Sequence, residues 1–244
     1  MTSTSTFLLR AACLFLAIWP QGVLAEWHGD LKFLTDYIYR GYSKSRGHPV
    51  AQAHVDYQGN AGWFAGLGVS QVRFDDQIDR ERAEIEVTPY LGWSLPLSSD
   101  WRAEFSVSGY LYDGKIFGRN PDYAEIYASL HYRDWLSVRA SIAPDAYQRG
   151  ADVLNYELSY RRDLWDNLQF SSGLGYHQAG ALLGHDYFYW NAGLSWFATS
   201  YLAIDLRYVD VDLSSPHEAE DHPPDQFYPR QQDHNYLFSI ILGF

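Results

Sequence analysis

Apolar side chains recur at every second position of this chain, in segments of about ten residues, and that spacing leaves few folds open. Ile85, Val87, Leu91 and Trp93 alternate with Glu84, Glu86, Thr88 and Tyr90, and Trp101, Ala103, Phe105, Val107 and Leu111 alternate with Arg102, Glu104, Ser106, Ser108 and Tyr110. A period of two places the two sets on opposite faces of a strand. Twelve such segments are expected, at 27–42, 49–58, 62–74, 82–95, 101–112, 122–133, 135–144, 152–162, 167–177, 186–197, 200–211 and 234–244. Strands of globular proteins average about five or six residues, whereas a tilted strand crossing a bilayer needs roughly nine to eleven. The pattern therefore predicts an all-β chain, a transmembrane antiparallel β-barrel of about 12 strands.

A water-soluble sandwich would show the same alternation, with the apolar faces packed between two sheets. Aromatic placement argues for lipid. Trp27, Tyr39, Trp93, Trp101, Trp190 and Trp196 lie near the ends of the apolar faces, where an interfacial girdle would stand. Short connections such as "PLSSD" and "ATS" alternate strictly with longer ones such as "DGKIFGRNP" and "DLSSPHEAEDHPPDQFYPRQQD". Twelve strands then have five short turns on one rim, assigned to the periplasm, and six outer loops on the other. The mean hydropathy of −0.32 does not oppose this, because alternating strands average to mild polarity.

The start of the chain reads as an export signal: a polar stretch to Arg10, an apolar run from Ala11 to Trp19, and "VLA" before Glu26. Cleavage after Ala25 divides the chain into a signal peptide, 1–25, and a barrel domain, 26–244. The one cysteine, Cys13, leaves with the signal, so no disulfide scaffold is expected in the remaining 244 − 25 = 219 residues. The net charge of −12, with no basic patch, excludes a nucleic-acid partner. In "YLFSIILGF", Tyr236, Phe238, Ile240, Leu242 and Phe244 share one face. This stretch resembles the C-terminal signature that assembly machinery reads in outer-membrane proteins, which implies a Gram-negative outer membrane, its lipid and lipopolysaccharide, and the barrel-assembly machinery as partners.

The stretch "TDYIYRGYSKSRGHPVAQAHVDYQGNAGWFAGLGVS" resembles the Gcw_chp family of proteobacterial outer-membrane proteins, through Thr35, Asp36, Tyr37, Arg40, Gly41, Pro49, Gly62, Trp63 and Gly66. Glu125 and Tyr127 in "DYAEIYASLHY" fit a second family strand, and "GLGYH", "HDYFYWNAGLSW" and "LAIDLRYVDVD" extend the resemblance over 30–212. "YSKSRGH" is more basic than the family pattern. The resemblance implies fold and location and supplies no activity.

Parity places fifteen ionisable residues on the lumen side: the nine acids Asp30, Asp36, Asp56, Glu84, Glu86, Glu104, Glu125, Glu157 and Asp205, and the six bases Lys32, Arg40, Arg102, Arg139, Arg161 and Arg207. Their acidic excess predicts a passive, porin-like channel for small polar or cationic solutes. The alternative is a plugged barrel, its lumen closed by salt bridges, that acts through its outer loops; twelve strands lie between the filled eight and the open sixteen. An outer-membrane lipid-modifying enzyme is disfavoured, since His54 and His131 face the lumen and no G-x-S-x-G is present. The loop residues His48, His177, His185, His217, His222 and His234, with Glu218, Glu220 and Asp221, match no established metal spacing, so neither metal nor cofactor is expected. Tyr187, Tyr189 and Trp135 are candidates for an aromatic track in the lumen.

Overall fold

The structure, a computed structural model, describes residues 26–74, 81–212, 227–231 and 234–244. The expected signal segment and the loop residues His217, Glu218, Glu220, Asp221 and His222 lie outside the described residues. The strands are β1 (Glu26–Leu34), β2 (Ile38–Tyr39), β3 (Tyr42–Ser43), β4 (Val50–Gln58), β5 (Trp63–Gln71), β6 (Ile85–Pro96), β7 (Trp101–Tyr112), β8 (Tyr123–Tyr132), β9 (Leu136–Ala143), β10 (Val153–Trp165), β11 (Leu168–Gln178), β12 (Tyr187–Phe197), β13 (Leu202–Asp212) and β14 (Asn235–Gly243). All but β2 and β3 form one closed barrel in sequence order, with β1 pairing β14 on one side and β4 on the other. Closure is what lipid demands, because an open edge would leave N–H and C=O groups without partners in hydrocarbon.

The seam sets Leu31 against Leu242 and Phe33 against Ile240. Beyond the last of these pairs, Gly29 and Phe244 exchange two backbone hydrogen bonds of 2.9 Å. The Phe244 ring lies over Gly29, so a side chain at position 29 would run into it. The wall turns its apolar parity outward: Leu31, Phe33, Leu91, Phe105, Ile126, Val138, Leu174 and Leu206 are all exposed, as a lipid-facing surface requires. Around the short-turn rim an aromatic girdle runs from strand to strand, with ring separations of 5.0 Å for Trp27 and Tyr57, 4.8 Å for Tyr57 and Trp63, and 4.8 Å for Trp101 and Tyr132. Trp135 belongs to this girdle, packed against Tyr132 and Tyr160 at 5.2 and 5.9 Å. It is therefore not part of a lumen track; Tyr187 and Tyr189 are buried inside.

One expected strand is cut short. The predicted 27–42 segment leaves the wall at Leu34, and residues 35–49 turn into the barrel, where β2 and β3 pair as a hairpin. Its two-residue turn has Arg40 at φ 50 and Gly41 at φ 84, the left-handed pair that matches the twist of a tight hairpin. The alternation of Tyr37 and Tyr39 with polar neighbours continues through this piece, so periodicity alone cannot show that the chain has changed layers. At the same rim, past the end of β5, the chain also runs inward, and Val72 and Phe74 are buried.

The long-loop mouth is filled. Ile116, Phe117, Tyr147, Leu182, Leu183 and Phe227 come from the connections and pack with Tyr42, Phe74, Tyr123 and Tyr187 into one apolar cluster. Tyr147 and Phe227 stack at 4.2 Å, and Tyr110 and Tyr123 at 4.6 Å. Each large side chain so buried contributes about 1.5–3 kcal/mol.

Replacing Gly29 by Val pushes the exposed Phe244 ring aside and crowds the His54 carbonyl, at a cost of about 1 kcal/mol. The expected result is a lower urea midpoint for loss of the heat-modifiable folded band on a gel, while Gly243→Ala, with open space at its Cβ, leaves the midpoint near wild type.

Candidate functional site

The inward hairpin is first shaped by its own side chains. Ser43 and Ser45 both donate their hydroxyls to Asp36 Oδ1, at 2.5 and 2.6 Å, and Ser45 Oγ accepts from the Tyr37 N–H at 2.9 Å. This ties the residues just before β2 to β3 and to the segment that follows it. Asp36 is thus a brace within the hairpin.

Two buried ion pairs then fasten the hairpin to the wall. Lys44 Nζ lies 2.5 Å from Glu86 Oε2, with side-chain exposures of 0% and 1%. Tyr37 and Tyr112 donate to the same carboxylate at 2.8 and 2.6 Å. Arg40 Nη2 lies 2.7 Å from Glu125 Oε1, with exposures of 6% and 0%. Ser141, Tyr127 and Tyr39 complete the Glu125 shell at 2.6, 2.6 and 3.0 Å. Tyr187 donates to the carbonyl of Arg40 at 2.8 Å, so backbone and side chain of the turn are both held. Each carboxylate therefore has one cation and at least two hydroxyl donors, the condition under which a buried charge is tolerated.

Beneath the hairpin lies a cavity of about 520 Å³, lined by Tyr39, Arg40, Tyr90, Tyr127, Arg139 and Arg207 among others. Ile38 to Gly41 form its roof. Arg139 faces inward yet keeps a side-chain exposure of 47%, so water reaches this vestibule. Gly175 makes room for Tyr189, whose ring occupies the space a Cβ there would take.

The remaining inward charges form cross-strand networks. On β1 and β4, Asp30 pairs with Lys32 at 3.3 Å and approaches His54 at 3.4 Å, and Asp56 lies across from His28. On β7 to β9, Glu104 holds Arg102 at 3.2 Å and His131 at 3.1 Å, and His131 Nδ1 meets Ser137 Oγ at 2.8 Å. Ser137 lies in a regular strand paired on both sides, against His131 and Ser159, so its neighbouring N–H groups belong to the sheet ladders. His131 thus bridges Glu104 of β7 and Ser137 of β9 across the wall. On β13, Arg207 bonds Asp205, Asn191 and Ser171, while Ser195 donates to Asp205 at 2.7 Å.

Two residues expected in the lumen lie elsewhere. Glu84 precedes β6 and is exposed on the long-loop side, beside Arg82. Arg161 is exposed at the short-turn rim and donates to the carbonyl of Asp134. Parity was right for their strands, but each stands at an end where the wall no longer encloses it. Lys44 and Ser141 are the partners that parity missed. The signal for Lys44 was the unusually basic "YSKSRGH". Among the described residues, no group of three or more His, Cys, Asp or Glu side chains could hold a metal ion.

Lys44→Met leaves Glu86 buried without its cation and is expected to cost about 3–5 kcal/mol in unfolding free energy. Lys44→Met combined with Glu86→Gln removes both charges and is expected to recover a large part of that loss, as read by urea unfolding in detergent.

Comparison with known proteins adds a family and a fold. The sequence profile described as "Bacterial protein of unknown function (Gcw_chp)" matches residues 25–234. No curated protein sequence matches significantly. Among solved structures, the KdgM porin is similar with a TM-score of 0.51 at 10% identity, over 89% of this chain and 98% of that one. KdgM in complex with disordered oligogalacturonate gives a TM-score of 0.53 at 10% identity over the same shares. The NanC porin gives 0.53 at 11% identity, over 88% and 98%. At these identities the likeness is one of fold.

Proposed function

The chain belongs to the Gcw_chp family, and we propose that it is an outer-membrane channel for small polar solutes whose lumen is shut by the hairpin of residues 35–49. The observation that carries this reading is the β2–β3 hairpin itself, seated by two buried ion pairs over a vestibule that water can enter. The wall has the outward apolar face, the girdle and the fold of porins, and its twelve strands lie between the filled eight and the open sixteen. Passage requires the hairpin to leave its seat. Solute movement is passive, by width and charge, with no covalent step or cofactor. Residues 1–25 act as the export signal in this reading, and the Tyr236 to Phe244 face is read by the assembly machinery before it meets lipid and lipopolysaccharide.

Cation preference belongs to the open state. In the seated state the wall acids Glu86 and Glu125 are neutralised by Lys44 and Arg40, and the vestibule shows Arg40, Arg139 and Arg207 against Glu104 and Glu157. Withdrawal of the hairpin removes two cations and uncovers two carboxylates in the narrow part of the lumen, where their field acts most strongly on a passing ion.

A second reading has the barrel permanently plugged and working through its outer loops. The packed cluster of Phe117, Tyr147, Leu183 and Phe227 over the mouth favours it.

Single-channel recording separates the two. The wild type is expected to be mostly closed with brief openings, and a variant with residues 38–44 replaced by a Gly-Ser-Gly link, which removes both Arg40 and Lys44, is expected to conduct continuously. In that variant the reversal potential under a salt gradient reports cation preference, and Glu86→Gln with Glu125→Gln reduces it. A correctly folded link variant that stays silent would overturn the channel reading. The milder pair Arg40→Ala and Lys44→Ala, which leaves the backbone intact, gives an independent measure of opening.

A further inference from the structure

Two guanidinium groups in the vestibule have hydrogen-bonding capacity that the wall does not use. Arg40 makes its hydrogen bond to Ser141 and its ion pair to Glu125 through Nη2 alone. Its Nε and Nη1 make no hydrogen bond with the described residues and are not among the fully buried atoms left without a partner; the guanidinium lies over the Tyr39 ring at 4.7 Å and lines the cavity. Arg139 gives Nε to Ser129 Oγ at 3.2 Å, and its Nη1 stands 3.8 Å from Glu157 Oε2, beyond hydrogen-bond reach. Arg207, by contrast, has Nε, Nη1 and Nη2 all engaged.

The two available groups are neighbours. Ser141, which Arg40 bonds, and Arg139 share the inward face of β9 two positions apart, a separation of about 7 Å along the strand. Tyr127 links them: its ring lies 5.8 Å from the Arg139 guanidinium carbon, and its hydroxyl bonds the same Glu125 that pairs with Arg40. Unused N–H groups on a cation in a confined, partly dehydrated space are matched best by the two oxygens of a carboxylate. Around them stand hydroxyls and an amide suited to a polyol, from Ser106, Ser108 and Asn191, in a cavity of small-molecule size.

We propose that the roof of the vestibule is a binding site for the carboxylate of a small hydroxy acid, held between Arg40 of the hairpin and Arg139 of the wall. Glu125 and Glu157 are close by and oppose a second anion. Glu125 is already neutralised by Arg40, and Glu157 accepts the Tyr189 hydroxyl at 2.7 Å, so binding is weak, on the order of millimolar. Because one of the two arginines is carried by the hairpin, the site exists only while the hairpin is seated. Occupancy therefore favours closure, by the difference in affinity between the two states. This second half rests on the hairpin acting as the gate; the binding itself does not.

The test is titration calorimetry of the refolded full chain in detergent, with sodium gluconate as probe, sorbitol as its neutral counterpart, and matched sodium chloride. Saturable heat is expected with gluconate and none with sorbitol. Arg139→Gln, checked for the heat-modifiable band, is expected to weaken binding about tenfold or more, and Arg139→Lys by less. Equal binding of gluconate and sorbitol, no binding of gluconate to the wild type, or unchanged affinity in Arg139→Gln would each overturn the site. In a bilayer, gluconate on the vestibule side is expected to lower the open probability of the wild type and not of the link variant. Calorimetric binding by a barrel whose openings gluconate leaves unchanged would retain the site and overturn its coupling to the gate.

Discussion

Glu86 and Glu125 set the condition that the rest of the lumen answers. Both are carboxylates on the inner wall with almost no exposure, and their recorded cross-strand neighbours carry no charge: Ser70 and Tyr112 beside Glu86, Ser108 beside Glu125. While the hairpin covers them, each of these carboxylates needs a charged partner or a full set of hydrogen-bond donors. The wall strands beside them supply hydroxyls and no cation, and the cations come from residues 35–49, the piece of chain that lies inside the barrel. The hydroxyls of Tyr37, Tyr39, Tyr112 and Tyr127 fill the remaining acceptor positions, which accounts for a good part of the tyrosine content on the inner face.

The wall was legible in the sequence because its rule is local. Each strand must alternate to have one face in lipid, so Ile85 to Trp93 or Leu202 to Tyr208 can be read without knowing any partner, and length distinguishes a membrane wall from a sandwich. The interior was legible only in part. Parity placed Glu86, Glu104, Glu125, Glu157 and Arg207 inside, where they are found, but it cannot say how far along the axis a residue sits, which is why Glu84 and Arg161 lie at the rims. Nor can it distinguish a strand in the wall from one in the lumen, since Tyr37 and Tyr39 alternate either way. Pairings such as Lys44 with Glu86 join residues far apart in sequence, and nothing local announces them. The hint that was present was the basic "YSKSRGH", whose Lys44 meets the acid on β6.

The two halves of the lumen differ in kind. Toward the long loops the described interior resembles the core of a soluble protein, a cluster of buried apolar side chains with stacked aromatics. Toward the short turns it is a set of polar ladders, where Asp30, Glu104, Glu157 and Asp205 each have a partner and solvent still has access. The hairpin is the boundary between them, apolar and aromatic above, with its turn facing the vestibule below. A solute crossing the barrel would meet hydrogen-bonding partners along one half of its path and would need the other half to rearrange.

The contacts that seat the hairpin also determine how the protein comes to be folded. Its tie to Glu86 spans 42 residues, its bond to Ser141 spans 101, and the bond from Tyr187 to the Arg40 carbonyl spans 147. Contacts of such separation form only after the intervening chain is organised, and each incurs the loop-closure entropy of that chain. A hairpin made early in the sequence is thus among the last pieces to become rigid. Its final seating waits for β9 and β12, the strands that carry Ser141 and Tyr187, to take their places in the wall. The order of the strands in the sequence and the order in which the lumen is filled are therefore different, and an error in seating the hairpin would show first as slow folding.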